Sequence, residues 1–265
     1  MMPQVVEWND PYQEPDSLHI ADTPSVATAI GVFDGVHRGH QELLKRVVES
    51  GEGVPAVLTF LRNPAELTRP ESFLGQITSY DQRIELFSHY GIRLVIAIRF
   101  SSEFARLSGR QFVDAFLRVG PPVRRMVVGF NFHLGKDRDT HASEMKQMLH
   151  PHGVRVDIVP SLNDNGGPIS SSRIRHCIRE GRISEAESML GRPYEFRLDG
   201  RLLPERQEPA QLLPESGTYS VRYFADNDTR TGKVHIEQNG RISWDFPEIR
   251  WIKVRLFEEA DRNKE

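Results

Sequence analysis

The sequence predicts an α/β fold, a doubly wound parallel sheet followed by a small antiparallel β module. Three observations carry that expectation. From Val26 onward, short runs rich in Val and Ile alternate with amphipathic stretches of helical spacing, the pattern of βαβ units around a sheet buried on both faces. After Pro193 the helical spacing stops and apolar residues alternate with polar ones, as in strands with one solvated face. Between two of those later segments stands Asn239-Gly240, the strongest short hairpin signal.

Residues 1–25 are polar and broken by Pro3, Pro11, Pro15 and Pro24, with room for a short strand at Val5–Trp8. The strands of the sheet are expected at Ala27–Phe33, Val54–Phe60, Leu94–Ile98, Met126–Gly129 and Val154–Val159. Helical spacing predicts helices at His40–Glu49, Asp81–Tyr90, Gly109–Arg118 and Ser143–His150, then at Ser172–Glu180 and Ser184–Leu190. Gly191, Arg192 and Pro193 close that series, and crossovers should be right-handed. The β module is expected to hold strands at Thr218–Phe224, Lys233–Gln238, Arg241–Phe246 and Ile249–Phe257, with Trp244 and Trp251 as core or hairpin partners. Leu202–Pro214 holds three prolines and reads as a connector.

Composition excludes several classes. The chain has 265 residues, 38% hydrophobic and 27% charged, and a chain of that size buries roughly 70% of its unfolded surface without needing disulfides. Lys and Arg total 34 against 37 Asp and Glu, for a net charge of -3. That balance argues against a general nucleic-acid binder while leaving room for a local anion site. The one cysteine, Cys177, excludes a disulfide framework and an all-cysteine zinc site; it is expected to pack as a small apolar residue. No apolar run approaches the ~18 residues of a membrane span. The N-terminus lacks the basic start and apolar core of a signal peptide, so the expectation is a cytoplasmic protein away from membranes.

The most informative stretch is Ile30–His40, IGVFDGVHRGH. It joins the carboxyl end of the first sheet strand to the first helix, the edge at which open α/β sheets bind ligands. Gly39 allows a close backbone approach, and the helix start offers free N–H groups to an anion. Two imidazoles, Arg38 and a helix N-terminus at one spot suit the phosphates of a nucleotide. A metal held by His37 and His40 is an alternative, with Asp34 as the nearest third ligand; ordinary turn histidines are another. No G-x-G-x-x-G follows a strand, and Gly129–Asp137, GFNFHLGKD, misses the P-loop spacing and its Ser or Thr.

The second constellation is Pro168–Arg175, PISSSRIR. Its serines include an expected N-cap. Arg173 and Arg175 lie in the first turn, where a cation opposes the helix dipole by a few tenths to ~1 kcal/mol and a bound polyanion would reverse the sign. His150 and His152, around Pro151, read as a solvated helix end.

These blocks, with VVGFNFHLG and LGRPY, resemble the FAD synthetase module of bacterial bifunctional riboflavin kinase/FAD synthetases, within the HxGH nucleotidylyltransferase superfamily. The resemblance covers Val26 to Tyr194, with every block in family order. It implies domains at 1–194 and 195–265, and an FMN adenylyltransferase using ATP, FMN and Mg²⁺, with small-molecule partners only. It places His37 and His40 on the ATP phosphates and Ser170, Ser171, Ser172 and Arg173 in a second phosphate block. Gly31, Val32, Phe33 and Asp34 form the turn bordering adenine and ribose, Gly39 belongs to the HxGH element, and Asn131 borders nucleotide and metal. Phe60, Asn63 and Pro64 fall on the flavin side.

Three departures stand out. Phe60-Leu61-Arg62-Asn63-Pro64 replaces the family's Phe-Asp-Pro-His-Pro type stretch, and Val32 stands where many members have Asn. After Pro193 the kinase barrel's Gly-Phe-Pro-Thr-Ala-Asn motif is missing, although LLPESGTYSVRYF resembles a barrel strand. The expectation is therefore adenylyl transfer without riboflavin kinase activity, the β module being a reduced relic of the barrel. Adenylyl transfer to another phosphorylated acceptor, or a non-catalytic nucleotide- or flavin-binding relic, are the alternative readings.

Overall fold

The computed structural model describes residues 1–12, 24–199, 211–225, 228–238, 242–245 and 251–257. The hairpin dipeptide Asn239-Gly240 and most of the 202–214 connector lie outside the described residues, as do Arg241 and residues 246–250 of the strands expected around them. The chain divides into two compact units, Met1–Phe73 with Tyr80–Pro168, and Leu74–Ser79 with Ile169–Glu265.

The first unit runs β1 (Gln4–Trp8), β2 (Val26–Ile30), α1 (Arg38–Glu49), β3 (Val54–Phe60), a short α2 (Ala65–Thr68), α3 (Tyr80–His89), β4 (Leu94–Ile98), α4 (Ser102–Arg106) and α5 (Gly109–Val119). It continues through β5 (Val123–Gly129), the small hairpin β6 (His133–Leu134) and β7 (Thr140–His141), α6 (Ala142–Leu149), β8 (Arg155–Val159) and a second small hairpin, β9 (Asn163–Asp164) and β10 (Gly167–Pro168). The sheet has the order β1-β4-β3-β2-β5-β8, and every pairing in it is parallel. The chain steps from β2 through β3 to β4 on one side, then returns to place β5 and β8 on the other. The gap between β2 and β5 is thus the switch point, where such sheets bind ligands beyond the strand ends.

Alternation along the strands fills both faces. Val26 and Ile30 of β2, with Ala56 and Leu58 of β3, join one buried cluster with Phe112, Phe116, Met145 and Leu149. Ala27 and Ala29, with Val57, join the other with Leu43, Leu44, Val47, Ile84 and Phe87. A period of two in the strands and 3.6 in the helices produces this two-sided core. At the sheet edge Trp8, fully buried, meets Phe104 edge-on at 5.1 Å and Phe112 and Phe116 at 5.4 and 5.9 Å.

The second unit begins with α7 (Ser171–Arg179) and α8 (Ile183–Leu190) and continues as β11 (Glu195–Asp199), β12 (Gly217–Ala225), β13 (Asp228–Ile236), β14 (Ile242–Trp244) and β15 (Trp251–Phe257). Its antiparallel sheet has the order β11-β15-β12-β13-β14. Ile174, Ile178, Ala186 and Met189 of the helices share one core with Tyr219, Val221, Tyr223, Val234 and Ile236 of the sheet. Residues 74–79 are stitched to this core: Gln211 Nε2 donates to Ile77 O at 2.9 Å, and Arg175 Nε donates to Gly75 O at 2.9 Å. Packing therefore divides the chain at Pro168, whereas the resemblance divides it at Tyr194. Helical periodicity says which face of α7 and α8 is buried, but not against what.

The expected elements recur with shifted ends. β2 stops at Ile30 instead of Phe33, because Phe33 adopts φ 55° and leaves the extended region. Helix α1 starts at Arg38 instead of His40, because the cap is His37. The two small hairpins and α4 are too short for a periodic signal. Trp244 packs against the second unit's core as expected, half-buried; the side chain of Trp251 lies outside the described residues.

Trp8 should be the most demanding position of the outer strand. Trp8→Ala is expected to cost about 3–5 kcal/mol, the range for truncating a buried aromatic, measured by urea unfolding.

Candidate active site

The site is built at the carboxyl edge of adjacent strands β3, β2 and β5. After β2, Phe33 (φ 55°), Gly35 (φ 83°) and Val36 (φ 38°) all take positive φ. A β-branched residue rarely does so, and this turn is held from several sides. Phe33 and Val36 are fully buried, Val36 N donates to Phe33 O at 3.0 Å, and Gln41 Nε2 donates to Val36 O at 2.9 Å.

The turn delivers His37 as the N-cap of α1. Its Nδ1 accepts the His40 backbone N–H at 3.3 Å, so the neutral ring carries its proton on Nε2. The His37 and His40 rings stack at 3.6 Å and 15°, and His40 also meets Phe33 at 5.1 Å. A Cβ on Gly39 would stand 3.2 Å from His37 Cε1 and Nδ1, so the glycine keeps that ring in place. Parallel stacked rings, one with Nδ1 engaged by the backbone, do not make a chelate. Among the described residues no group of three or more His, Cys, Asp or Glu side chains could hold a metal.

Asp34 is buried in the same turn, with Gly31 and Val32 half-buried before it. On β3, Phe60 packs edge-on against Phe100 at 5.6 Å. Asn63 Oδ1 accepts from Ala65 N at 3.0 Å while Asn63 N donates to Glu66 Oε1 at 3.3 Å, so Asn63 and Glu66 tie the loop after β3 to the short helix α2 that Pro64 leads into. Beyond β5, Asn131 is exposed on a turn closed by Phe132 N to Gly129 O at 3.0 Å. The nearby Gly135-Lys136 stretch wraps no ligand loop: Lys136 N donates to Leu107 O at 2.7 Å, and a Cβ on Gly135 would collide with Gly109 N at 2.2 Å. Burial, helped by Arg138 and His141, pushes the His133 imidazole down and keeps it neutral at pH 7.

The structure thus brings His37, Gly39, His40, Gly31–Asp34, Phe60, Asn63, Pro64 and Asn131 to one edge of the first unit. Ser170–Arg173 belongs to the second. There Ser170 Oγ caps α7 by accepting from Arg173 N at 3.3 Å, and no acid stands in the first turn. Arg175 is tied to the Gly75 carbonyl. Cys177 is buried, and burial pushes its thiol up, as a packed residue requires.

One residue of this edge went unforeseen. Arg83, on α3, is 1% exposed. Its Nη1 donates to Val32 O at 3.1 Å and to Phe60 O at 2.9 Å, and its Nη2 donates to Leu61 O at 2.9 Å. Burial pulls its affinity for the proton down, and the charges of Asp34, Tyr80 and Glu66 pull it back up. The available signal was spacing: Arg83 and Phe87 are four apart and share the buried face of α3.

A doubly wound sheet with a His37-Arg38-Gly39-His40 turn beside its switch point defines a nucleotidyltransferase-type α/β enzyme. Residues 19–173 match the model of the FAD synthetase family, and the chain belongs to that family. A bifunctional riboflavin kinase/FMN adenylyltransferase of Listeria monocytogenes is 30% identical over 80% of this chain and 72% of its own length. A protein of the same organism named FAD synthetase is 29% identical over 83% of this chain and 87% of its own. A solved structure from Streptococcus pneumoniae, described as a macrolide-efflux protein, covers 98% of this chain and 95% of its own with a TM-score of 0.76 at 23% identity, a likeness of fold.

His37 caps α1, and the family resemblance also assigns it a phosphate contact, so its variants should separate the two. His37→Ala is expected to lose about 1 kcal/mol of stability with the cap and roughly 10²–10³ in turnover with the donor. His37→Asn should regain the stability and only part of the turnover. Thermal melts beside steady-state rates provide the comparison.

Proposed function

We propose that the protein transfers the adenylyl group of ATP to FMN, giving FAD and pyrophosphate, and that it does not phosphorylate riboflavin. The observation that carries this reading is the His37–His40 turn, a capped helix start at the switch point in a chain of the FAD synthetase family.

The chemistry asks for positioning more than for proton transfer. An FMN phosphate oxygen attacks the α-phosphorus of ATP in line; the new P–O bond forms as the α–β bridging bond breaks, and that electron pair leaves on pyrophosphate. A phosphate monoester with a second pKa near ~6 is mostly ionised at pH 7, so the nucleophile needs no protein base. The protein must hold two anions together and offset charge in the transition state. His37 Nε2–H and the first N–H groups of α1 supply donors, and Gly39 lets the backbone approach. The Ser170 hydroxyl, already accepting from Arg173 N, keeps its own proton to donate, and with Ser171, Ser172 and Arg173 it serves the second phosphate contact. Gly31–Asp34 border adenine and ribose; Asn131 borders the nucleotide. Phe60, Asn63 and Pro64 border the flavin.

With no protein cage among the described residues, Mg²⁺ fits this site as an ion carried by the ATP phosphates, the usual habit of a small hard cation. When bound, it would supply charge neutralisation on the phosphoryl oxygens. Two facts support the absence of kinase activity. The Gly-Phe-Pro-Thr-Ala-Asn motif is missing, and the relative named simply FAD synthetase is covered over 87% of its length. Residues 195–265 then form a reduced relic of the kinase barrel, following a 1–194 synthetase domain in the sequence.

Incubation with Mg²⁺-ATP and either FMN or riboflavin, with products resolved by chromatography, should give FAD from FMN and no FMN from riboflavin. FMN produced from riboflavin at a rate comparable with FAD formation would refute the second half. No FAD from FMN with folded protein would refute the first and direct the search to other phosphorylated acceptors.

Arg173 tests the second phosphate block. Arg173→Ala should slow adenylyl transfer by about 2–4 kcal/mol in transition-state stabilisation, with a much smaller change in ligand-free melting temperature. Arg173→Lys should recover part of the rate, because lysine keeps the charge but not the planar fork. A large stability loss with normal turnover of the folded fraction would make Arg173 a structural residue.

A further inference from the structure

We propose that Arg83 is a positioning residue that locks the nucleotide-side turn after β2 to the flavin-side loop after β3. The inference rests on the adenylyl-transfer reading and adds to it a residue that no family motif quoted above contains.

The guanidinium sits beneath two segments that must be held at a fixed separation. Its Nη1 reaches both, donating to Val32 O at 3.1 Å and Phe60 O at 2.9 Å, while Nη2 takes Leu61 O at 2.9 Å. Thr59 Oγ1 donates to the same Val32 carbonyl at 3.2 Å, so that oxygen is fastened from the helix and from the neighbouring strand. The Tyr80 ring lies 5.3 Å from the guanidinium carbon, and Asp34 supplies negative charge from within the turn. A planar fork is the side chain able to fix three carbonyls at once.

Burying a charge is expensive when only packing is required. Apolar residues tie α3 to the sheet already: Ile84 and Phe87 do so in the same buried cluster as Val57 and Val95. What an apolar side chain at 83 would lack is the set of donors that places Val32, Phe60 and Leu61. Those three residues offer only backbone oxygens to the fork. The loop at 61–63 can therefore differ in side chains from its family pattern while its anchor stays the same.

The test uses the full chain with Arg83→Lys, which keeps the charge and loses the fork. Three readouts are compared with wild type: ligand-free melting temperature, hydrogen exchange of segments 31–36 and 60–64, and steady-state kinetics with Mg²⁺-ATP and FMN. The expected result is joint loss of amide protection in both segments. With it, kcat should fall about 10²-fold, the scale for a misplaced reacting group, while the KM for ATP changes far less. Loss of protection in one segment alone, loss spread evenly over the unit, or unchanged exchange would overturn the proposal. So would a lowered melting temperature with wild-type kcat. If wild-type protein makes no FAD, the adenylyl-transfer reading fails, and the paired exchange result still decides the role of Arg83. If Arg83→Lys does not fold, Arg83→Gln, with two N–H donors on a planar head, replaces it under the same expectations. Failure of both to fold would make Arg83 structural.

Discussion

Everything at the carboxyl edge depends on one strained turn. Phe33 and Val36 both carry positive φ, a conformation that costs on the order of 1–3 kcal/mol per residue. It persists because both side chains are fully buried and the turn is closed by its own backbone and by Gln41. Phe33 is wedged edge-on against Phe87 at 5.6 Å, so the core of the first unit supplies what the local backbone lacks. The return is geometric. The chain leaves β2, reverses direction within a few residues, and enters α1 with His37 in extended conformation at φ -69°, ψ 169°. A relaxed turn would start the helix elsewhere and separate the stacked histidines.

That dependence explains what was legible in the sequence and what was not. The strands at Val54–Phe60 and Leu94–Ile98 emerge with their expected bounds, because a strand covered on both faces is a continuous apolar run with clear ends. The end of β2 was misplaced because Phe33 continues the apolar run in composition while leaving it in conformation. Its φ is imposed by packing against Phe87, more than fifty residues away in sequence. The His37–His40 element was legible because its chemistry resides in side-chain identity and spacing. Arg83 was not, because its partners are carbonyls, which every residue possesses. For the same reason the division at Pro168 was invisible: the apolar stripes of α7 and α8 would look alike against either sheet.

The helix starts show how the remaining charge is distributed. Asp81, Glu103, Glu144 and Glu185 stand in the first turns of α3, α4, α6 and α8, each complementing the partial positive charge there. Helix α5 has no acid in its first turn, but the Asp139 carboxylate accepts from Gly109 N at 2.9 Å and fills the role from a distance. Helices α1 and α7 have no acid in the first turn and are capped by neutral groups, the His37 ring and the Ser170 hydroxyl. In α7 the first turn also holds Arg173, whose charge is repelled by the partial positive charge of the helix start instead of offsetting it.

Each missing acid forgoes roughly 0.3–1 kcal/mol in the ligand-free protein. A polyphosphate recovers that term at whichever of these helix starts it meets, and only in the folded state, so its binding is linked to stability. The arrangement favours a ligand that arrives with its own negative charge over a fold that neutralises itself. The two arginines of the second block occupy different positions relative to that helix start. Arg175 is committed to the Gly75 carbonyl and holds residues 74–79 to their unit, whereas Arg173 stands in the first turn of α7, next to its Ser170 cap. The sequence places them two residues apart; the helical rotation between positions 173 and 175 turns the two side chains to different faces of α7.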